Sequence, residues 1–182
     1  MNEIEQIAKA ARYGDSRATE ALVRASYADV WRFCSLLVDR DTADDLTQET
    51  FARALRALRR YRGDASVRTW ILSIARNVCA DELRHRTRRR RRDHDLTAAA
   101  GVSPATAPDP ETAATMSLLG ELEPDRRAAF VLTQLFRLSY QETATICGCP
   151  PGTIRSRVAR ARAELIELLD RANGVSASET GD

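Results

Sequence analysis

Three groups of side chains in this sequence have the types and spacing to bind charge or do chemistry. The first is acidic: Asp44 and Asp45 adjoin, and Gln48 and Glu49 follow one helical turn later. Clustered carboxylates can hold Mg²⁺ and support phosphodiester hydrolysis. Such a centre needs a matching His, Lys or second acidic cluster, and the sequence offers none at a plausible spacing. An ordinary solvated helix face and a protein-docking patch are the other readings of the same residues. The second group is basic. The stretch GCPPGTIRSRVARARAEL, Gly148 to Leu165, carries Arg155, Arg157, Arg160 and Arg162 with no acid before Glu164. The third is RHRTRRRRR, Arg84 to Arg92, which holds seven arginines and no acid.

A helix turns ~100° per residue. Over Gly148 to Leu165 that rotation puts Ile154, Val158, Ala161 and Leu165 in one narrow stripe, the mark of a helix docked on a core. Arg155 and Arg162 flank the stripe on one side, Arg157 and Arg160 on the other, and Ser156, Ala159 and Ala163 fill the outward face. Small residues between guanidinium forks would let this helix lie deep in an anionic groove, and the DNA major groove is wide enough to admit it. The segment before it supplies a scaffold. Ser139-x-x-Glu142 is a capping box for a short helix bearing Tyr140, Ala144 and Cys147, Gly148 ends that helix, and Pro150 and Pro151 open the next. Short helix, tight turn, basic helix make a helix-turn-helix. In that geometry Arg155, Ser156, Ala159 and Arg160 face bases, Arg157 and Arg162 suit phosphates, and Thr153 is a further DNA contact. A solvated, Arg-rich amphipathic helix is the bland alternative.

The other elements follow from the same periodicity, and no alternating strand pattern is persuasive. Glu3 to Tyr13 carries Ile4, Ile7, Ala8 and Ala11 at helical spacing, with Gly14 as its stop. A second helix spans Ser16 to Val38, with Leu22, Ala25, Val30, Phe33 and Leu37 available for burial. Asp41 is expected to cap a third helix running to about Arg60. On it Asp45, Gln48 and Glu49 share one exposed patch while Leu46 and Thr50 turn inward. Tyr61-Arg-Gly-Asp-Ala-Ser66 is a turn, and Ser66 can cap a fourth helix through Trp70, Ile71, Ile74, Val78 and Leu83. Arg76, Asn77, Asp81 and Arg84 lie outside that stripe and could meet nucleic acid. Trp70 falls in it, so packing suits Trp70 better than base stacking. Arg86 to Arg92 would add phosphate attraction that weakens with salt, or be a solvated tail. Asp95 to Thr115, rich in Ala, Thr and Pro, is a linker that could span up to ~70 Å. Pro124 suits the first turn of a further helix through Val131, Leu132 and Leu135.

The whole is expected to be all-α, two small helical domains joined by a flexible linker. The boundaries are 1–92, linker 93–115, 116–172, and a disordered tail 173–182. The chain has 182 residues, 43% hydrophobic and 30% charged, with formal net charge +2, so it can bury a core while segregating charge. Lys9 is the sole lysine. No apolar run is long enough to span a membrane and MNEIEQ is no signal peptide, which predicts a cytoplasmic protein. Cys34, Cys79, Cys147 and Cys149 are then expected to stay reduced. Cys147-x-Cys149 lacks the spacing of the usual zinc pairs, so small buried residues is the preferred reading and no metal or cofactor is expected.

Three stretches together resemble one family. DDLTQETFARAL, YRGDASVRTWILSIARNVCADELRHR and LSYQETATICGCPPGTIRSRVARARAEL are similar to the best-marked segments of extracytoplasmic-function sigma factors. These are short, two-domain members of the sigma-70 family of bacterial RNA polymerase subunits, and the last stretch is most similar to the sigma-C type. The resemblance implies a non-enzymatic transcription initiation factor. Asp45, Gln48 and Glu49 would dock on the β′ clamp helices of core RNA polymerase. The loop Tyr61, Arg62, Gly63, Asp64 and Ser66 would hold a base flipped from the −10 element, with Arg76, Asn77, Asp81 and Arg84 reading its surroundings. The helix from Pro150 would read the −35 element of promoter DNA, and its domain would rest on the β flap. Control by an anti-sigma factor would have to come from another chain. Pro151 and Ala159 depart from the family's usual residues, so promoter sequence is not transferable. A stand-alone helix-turn-helix regulator is the rival, and the long N-terminal segment with its DLTQE patch argues against it.

Overall fold

The computed structural model describes residues 3–93 and 110–178. Eight α-helices and no strand occur among them, and the chain divides into two compact units between residues 106 and 107.

The N-terminal unit contains α1 (Glu3–Arg12), α2 (Ser16–Leu37), α3 (Ala43–Ala57) and α4 (Val67–Asp93), with a 3-10 turn at Leu58–Arg60. Gly14 stops α1 at φ +94°, a conformation that costs a residue with a Cβ. Asp15 then starts α2 by accepting from the Ala18 N–H at 3.0 Å. α2 packs against α1, α3 and α4, and α3 against α4. Val30, Phe33, Val67, Ile71 and Leu72 fill the space between them. Each such burial contributes roughly 1.5–3 kcal/mol relative to exposure. On α2 it is Ser26 that turns inward, while Ala25 faces out, one position off the expected stripe.

The start of α3 also differs from expectation. Asp41 is exposed and Thr42 occupies the cap position without a side-chain cap bond. Asp39 instead accepts from the Thr42 N–H at 2.9 Å and the Thr42 hydroxyl at 2.8 Å. Arg86 of α4 grips Asp39 and donates to Thr42 Oγ1. A tertiary ion pair selects the capping aspartate, so local spacing could not. Burial opposes the charge on Asp39, yet Arg86 and Thr42 together hold its carboxyl below the usual range. Cys34 and Cys79 are buried between α2 and α4, and Cys147 is buried in the other unit; all four cysteines are free. Its hydrogen bond with Cys34, together with burial, pushes the Cys79 thiol up, so it stays protonated.

The C-terminal unit holds α5 (Pro110–Glu121), α6 (Pro124–Phe130), α7 (Tyr140–Cys147) and α8 (Pro151–Ser178). α5 begins inside the stretch read as linker, so residues 110–115 are helical; 94–109 lie outside the described residues. α8 likewise runs through 173–178, which were read as tail, and 179–182 lie outside the description. Helical continuity through both stretches extends helices whose other ends are packed, a context that composition does not carry. Pro124 takes the first position of α6, with Glu123 as its cap. Beyond Phe130 the chain widens into a π-type turn over Val131–Leu135. Arg127 is buried and donates to the Gly120 and Leu122 carbonyls, closing the end of α5. Burial works against its charge, and the carbonyl-rich helix end offsets that cost.

Candidate nucleic-acid interface

The expected capping box forms in both directions: Ser139 Oγ accepts from the Glu142 N–H at 3.2 Å, and the Glu142 carboxylate accepts from the Ser139 N–H at 2.9 Å. Gly148 then takes φ +64°, ψ +37°, the left-handed conformation that reverses the chain into α8. α8 docks through Ile154, Val158 and Ala161, all essentially inaccessible, and packs on α6 and α7. Leu165 is half-buried. Burying one face in this way holds the opposite one outward. Arg155, Ser156, Ala159 and Arg160 are exposed together, with Thr153 half-buried at their edge. Ser156 Oγ donates back to the Thr153 carbonyl at 2.9 Å.

The arginines expected at phosphates divide. Arg157 donates to Asp125 of α6 at 2.5 Å and is half-buried, so it braces α8 against α6. Arg162 remains exposed while donating to Gln134 Oε1 at 2.6 Å. Arg126 of α6 pairs with Glu164, a second strut between the same helices.

In the N-terminal unit the loop from Tyr61 to Ser66 joins the 3-10 turn to α4. Gly63 bends it at φ +83°. Arg62, Gly63, Asp64 and Ser66 are exposed. Ser66 caps α4, accepting from the Thr69 N–H at 3.1 Å. Tyr61 is the fixed point. Its hydroxyl lies 2.6 Å from the Ala65 carbonyl and 3.3 Å from Glu5 of α1, and its ring packs on Trp70 with centroids 4.9 Å apart. Trp70 is therefore a support for the loop, in line with the packing role read for it. Burial and the neighbouring Glu5 carboxylate push the Tyr61 hydroxyl up to about 12, so it remains a neutral donor. Glu5 also accepts from the Val67 N–H at 2.9 Å, at the first turn of α4.

On α3, Asp45 and Gln48 are exposed and Glu49 half-exposed, while Leu46 and Thr50 are buried. Glu49 accepts from Arg53 at 2.7 Å, and Arg53 reaches across to Asp81 of α4 at 2.9 Å. Asp81 also receives Arg84 at 2.5 Å. The acidic patch and the outer face of α4 are thus linked by one chain of charges, Glu49–Arg53–Asp81–Arg84. Arg53 and Arg84 hold the Asp81 carboxyl below its ordinary range, so the two pairs at Asp81 are intact above the usual aspartate value of ~4 and weaken as pH falls through the lower one. Asn77 is exposed beside Arg76, and the two are 3.5 Å apart at their polar ends. Within the basic run, Arg86 is committed to Asp39 and Glu82, whereas Arg88 to Arg92 are exposed. Arg86, at the head of the run expected to meet phosphates, is thus already held by two carboxylates.

Among the described residues no group of side chains could hold a metal ion, and no helix is long and apolar enough to cross a membrane. The family model for Sigma-70 region 2 matches residues 22–89, and that for Sigma-70, region 4, matches residues 112–165. The ECF RNA polymerase sigma factor SigC of Mycobacterium tuberculosis is 44% identical over 171 residues, 90% of this chain and 89% of that protein. The chain belongs to the sigma-70 family, as an extracytoplasmic-function sigma factor. Two solved structures share its architecture. CnrH, in complex with the cytosolic domain of CnrY, is 27% identical with a TM-score of 0.73 and covers 93% of this chain, with 99% of CnrH matched. RpoE of Bartonella quintana, in complex with the anti-sigma factor NepR, is 29% identical with a TM-score of 0.70, over 83% and 96% of the two chains.

Sequence reasoning about this sigma factor missed Glu5, Arg53 and Arg127. Each is a charged residue whose partner is distant in sequence or is a backbone group, so no local spacing signals it. Glu5 had one weak sign, an acid placed on the core-facing helix α1. Replacing Glu5 with Ala is expected to lower the stability of the N-terminal unit by about 1 kcal/mol, the usual scale of a lost helix cap. Both tryptophans, Trp31 and Trp70, lie in that unit, so fluorescence-detected urea unfolding reads it selectively. An unchanged midpoint would remove Glu5 from the frame of the loop.

Proposed function

We propose that this sigma factor binds core RNA polymerase through Asp45, Gln48 and Glu49, reads the −10 element with the 61–66 loop and the outer face of α4, and reads the −35 element with α8. The observation that carries the reading is a shared geometry. In α3, α4 and α8 the apolar stripe is spent on a core, and the face left outward is the one whose residues resemble the family's contacts. The acidic α3 patch suits a basic partner such as the β′ clamp helices. Arg155, Ser156, Ala159 and Arg160 suit the major groove, where an Arg forked onto guanine contributes roughly 1–3 kcal/mol of discrimination. The 61–66 loop must recover the few kcal/mol that extruding a base costs.

The roles divide by segment: residues 1–92 for core docking and −10 recognition with melting, 93–115 as connection, 116–172 for −35 recognition and contact with the β flap. The chain supplies no catalytic residue and acts in the cytoplasm, where its polymerase is. An anti-sigma factor is a further partner, supported by the complex with the anti-sigma factor NepR in which RpoE was solved.

Run-off transcription from pooled promoter fragments, with core polymerase and with or without this protein, tests the function. New discrete transcripts only in its presence are expected. DNA binding without them would make the protein a stand-alone regulator. Gln48→Ala combined with Glu49→Ala is expected to weaken core binding about tenfold in a fluorescence titration, with the fold intact because Asp81 still holds Arg53. Unchanged affinity would dismiss the docking patch. Arg155→Ala should reduce initiation about tenfold on promoters with an intact −35 element while sparing core binding. An equal loss on templates with that element scrambled would contradict base readout.

A further inference from the structure

Beside the 61–66 loop lies a cleft whose other wall, at and just past the end of α1, has no assigned contact. It has a volume of about 340 Å³ and is lined by Glu5, Lys9 and Arg12 of α1, by Tyr13 in the turn that follows, and by Tyr61, Arg62 and Gly63 of the loop. That volume falls in the range of small-ligand clefts, ~300–1,000 Å³. Glu5, Lys9 and Arg12 follow at intervals of four and three, so they share one face of α1, and Tyr13 comes directly after its last turn. Glu5, the one carboxylate in the lining, is already engaged by the Val67 N–H and the Tyr61 hydroxyl. Lys9, Arg12 and Arg62 are exposed and leave the rim cationic. Tyr13 is 77% exposed, the most exposed of the chain's large hydrophobic side chains among the described residues.

Lys9 and Arg12 alone could be explained by the helix dipole, which favours cations in a last turn. The dipole accounts neither for a bare aromatic ring beside them nor for Arg62, which arrives from a different segment. Cations beside an exposed ring are the elements of a single-strand platform, where the ring stacks a base and the cations follow the backbone. A closed duplex has no free base face to offer Tyr13. We propose that this cleft binds single-stranded DNA of the opened promoter next to the loop, with a base stacked on Tyr13 and phosphates at Lys9, Arg12 and Arg62. The proposal rests on the assignment of the 61–66 loop to the −10 element, and it adds α1 as a second hold on the melted strand. It gives α1 a part in keeping the strands apart, beyond its packing on α2.

The test uses holoenzyme assembled from core polymerase and the full chain. The probes are a fluorescein-labelled single strand carrying the −10 segment of a promoter found by run-off transcription, and the same segment as closed duplex. Tyr13→Ala should weaken single-strand binding at least about fivefold, as base–aromatic stacking predicts, with duplex binding and core affinity unchanged. Tyr13→Phe should restore it. Arg12→Ala should flatten the dependence of log K on log salt by ~0.7. Because Tyr13 is exposed, these variants are expected to fold, and fluorescence-detected unfolding checks that they do. Single-strand binding by Tyr13→Ala equal to wild type, or an equal loss on the duplex, would overturn the α1 site while leaving the loop assignment standing. Failure of wild-type holoenzyme to retain the single strand would overturn both.

Discussion

The setting of the 61–66 loop in the N-terminal unit depends on the carboxylate of Glu5. From α1 it accepts from the backbone of Val67 and lies within reach of the Tyr61 hydroxyl, so one side chain joins three segments that are remote in sequence. The loop between Tyr61 and Ser66 needs this hold because it has little of its own. Gly63 gives it a bend that adds conformational freedom, and most of its side chains point to solvent. A surface that must grip an extruded base has to be organised beforehand, since ordering it on contact would cost about 1–2 kcal/mol per residue. The Tyr61 ring on Trp70 and the Glu5 carboxylate together meet that requirement.

Arg53 plays a comparable part between surfaces. It stands between Glu49, in the patch read as a polymerase contact, and Asp81, on the helix read as a DNA contact. These pairs are partly exposed, so each adds little stability, on the order of 0–1 kcal/mol. Their consequence is geometric. α3 and α4 are packed rigidly by Phe51, Ile71 and their neighbours, and the charges over that seam keep the two surfaces in a fixed relation.

The C-terminal unit solves a different problem with different means. A recognition helix must be held firmly while offering one whole face to a groove. Ile154, Val158 and Ala161 supply the apolar anchor, and Arg157–Asp125 and Arg126–Glu164 act as struts to α6. Four of the charged residues in and around the basic helix are thereby consumed by the fold. What remains outward, Arg155, Ser156, Ala159 and Arg160 with Arg162 tied to Gln134, is a face with fewer cations than charge counting suggests.

Periodicity and capping chemistry alone determined much of this molecule. The stripes of α3 and α8, the capping box at Ser139, the Gly148 turn and the Ser66 cap are set by residues within one or two turns of each other, so spacing reveals them. The outward faces followed as complements of those stripes. Tertiary structure decided the features whose partners are far apart along the chain. It chose Asp39 over Asp41 at the start of α3 because Arg86 arrives from α4, and it turned Ser26 rather than Ala25 inward. It carried α5 and α8 beyond their expected ends, and it withdrew Arg86 and Arg157 from the pool of available cations. The division has one cause. Local backbone hydrogen bonds and side-chain rotation depend on near neighbours, whereas the fate of a long charged side chain depends on which opposite charge the packed helices bring within its reach.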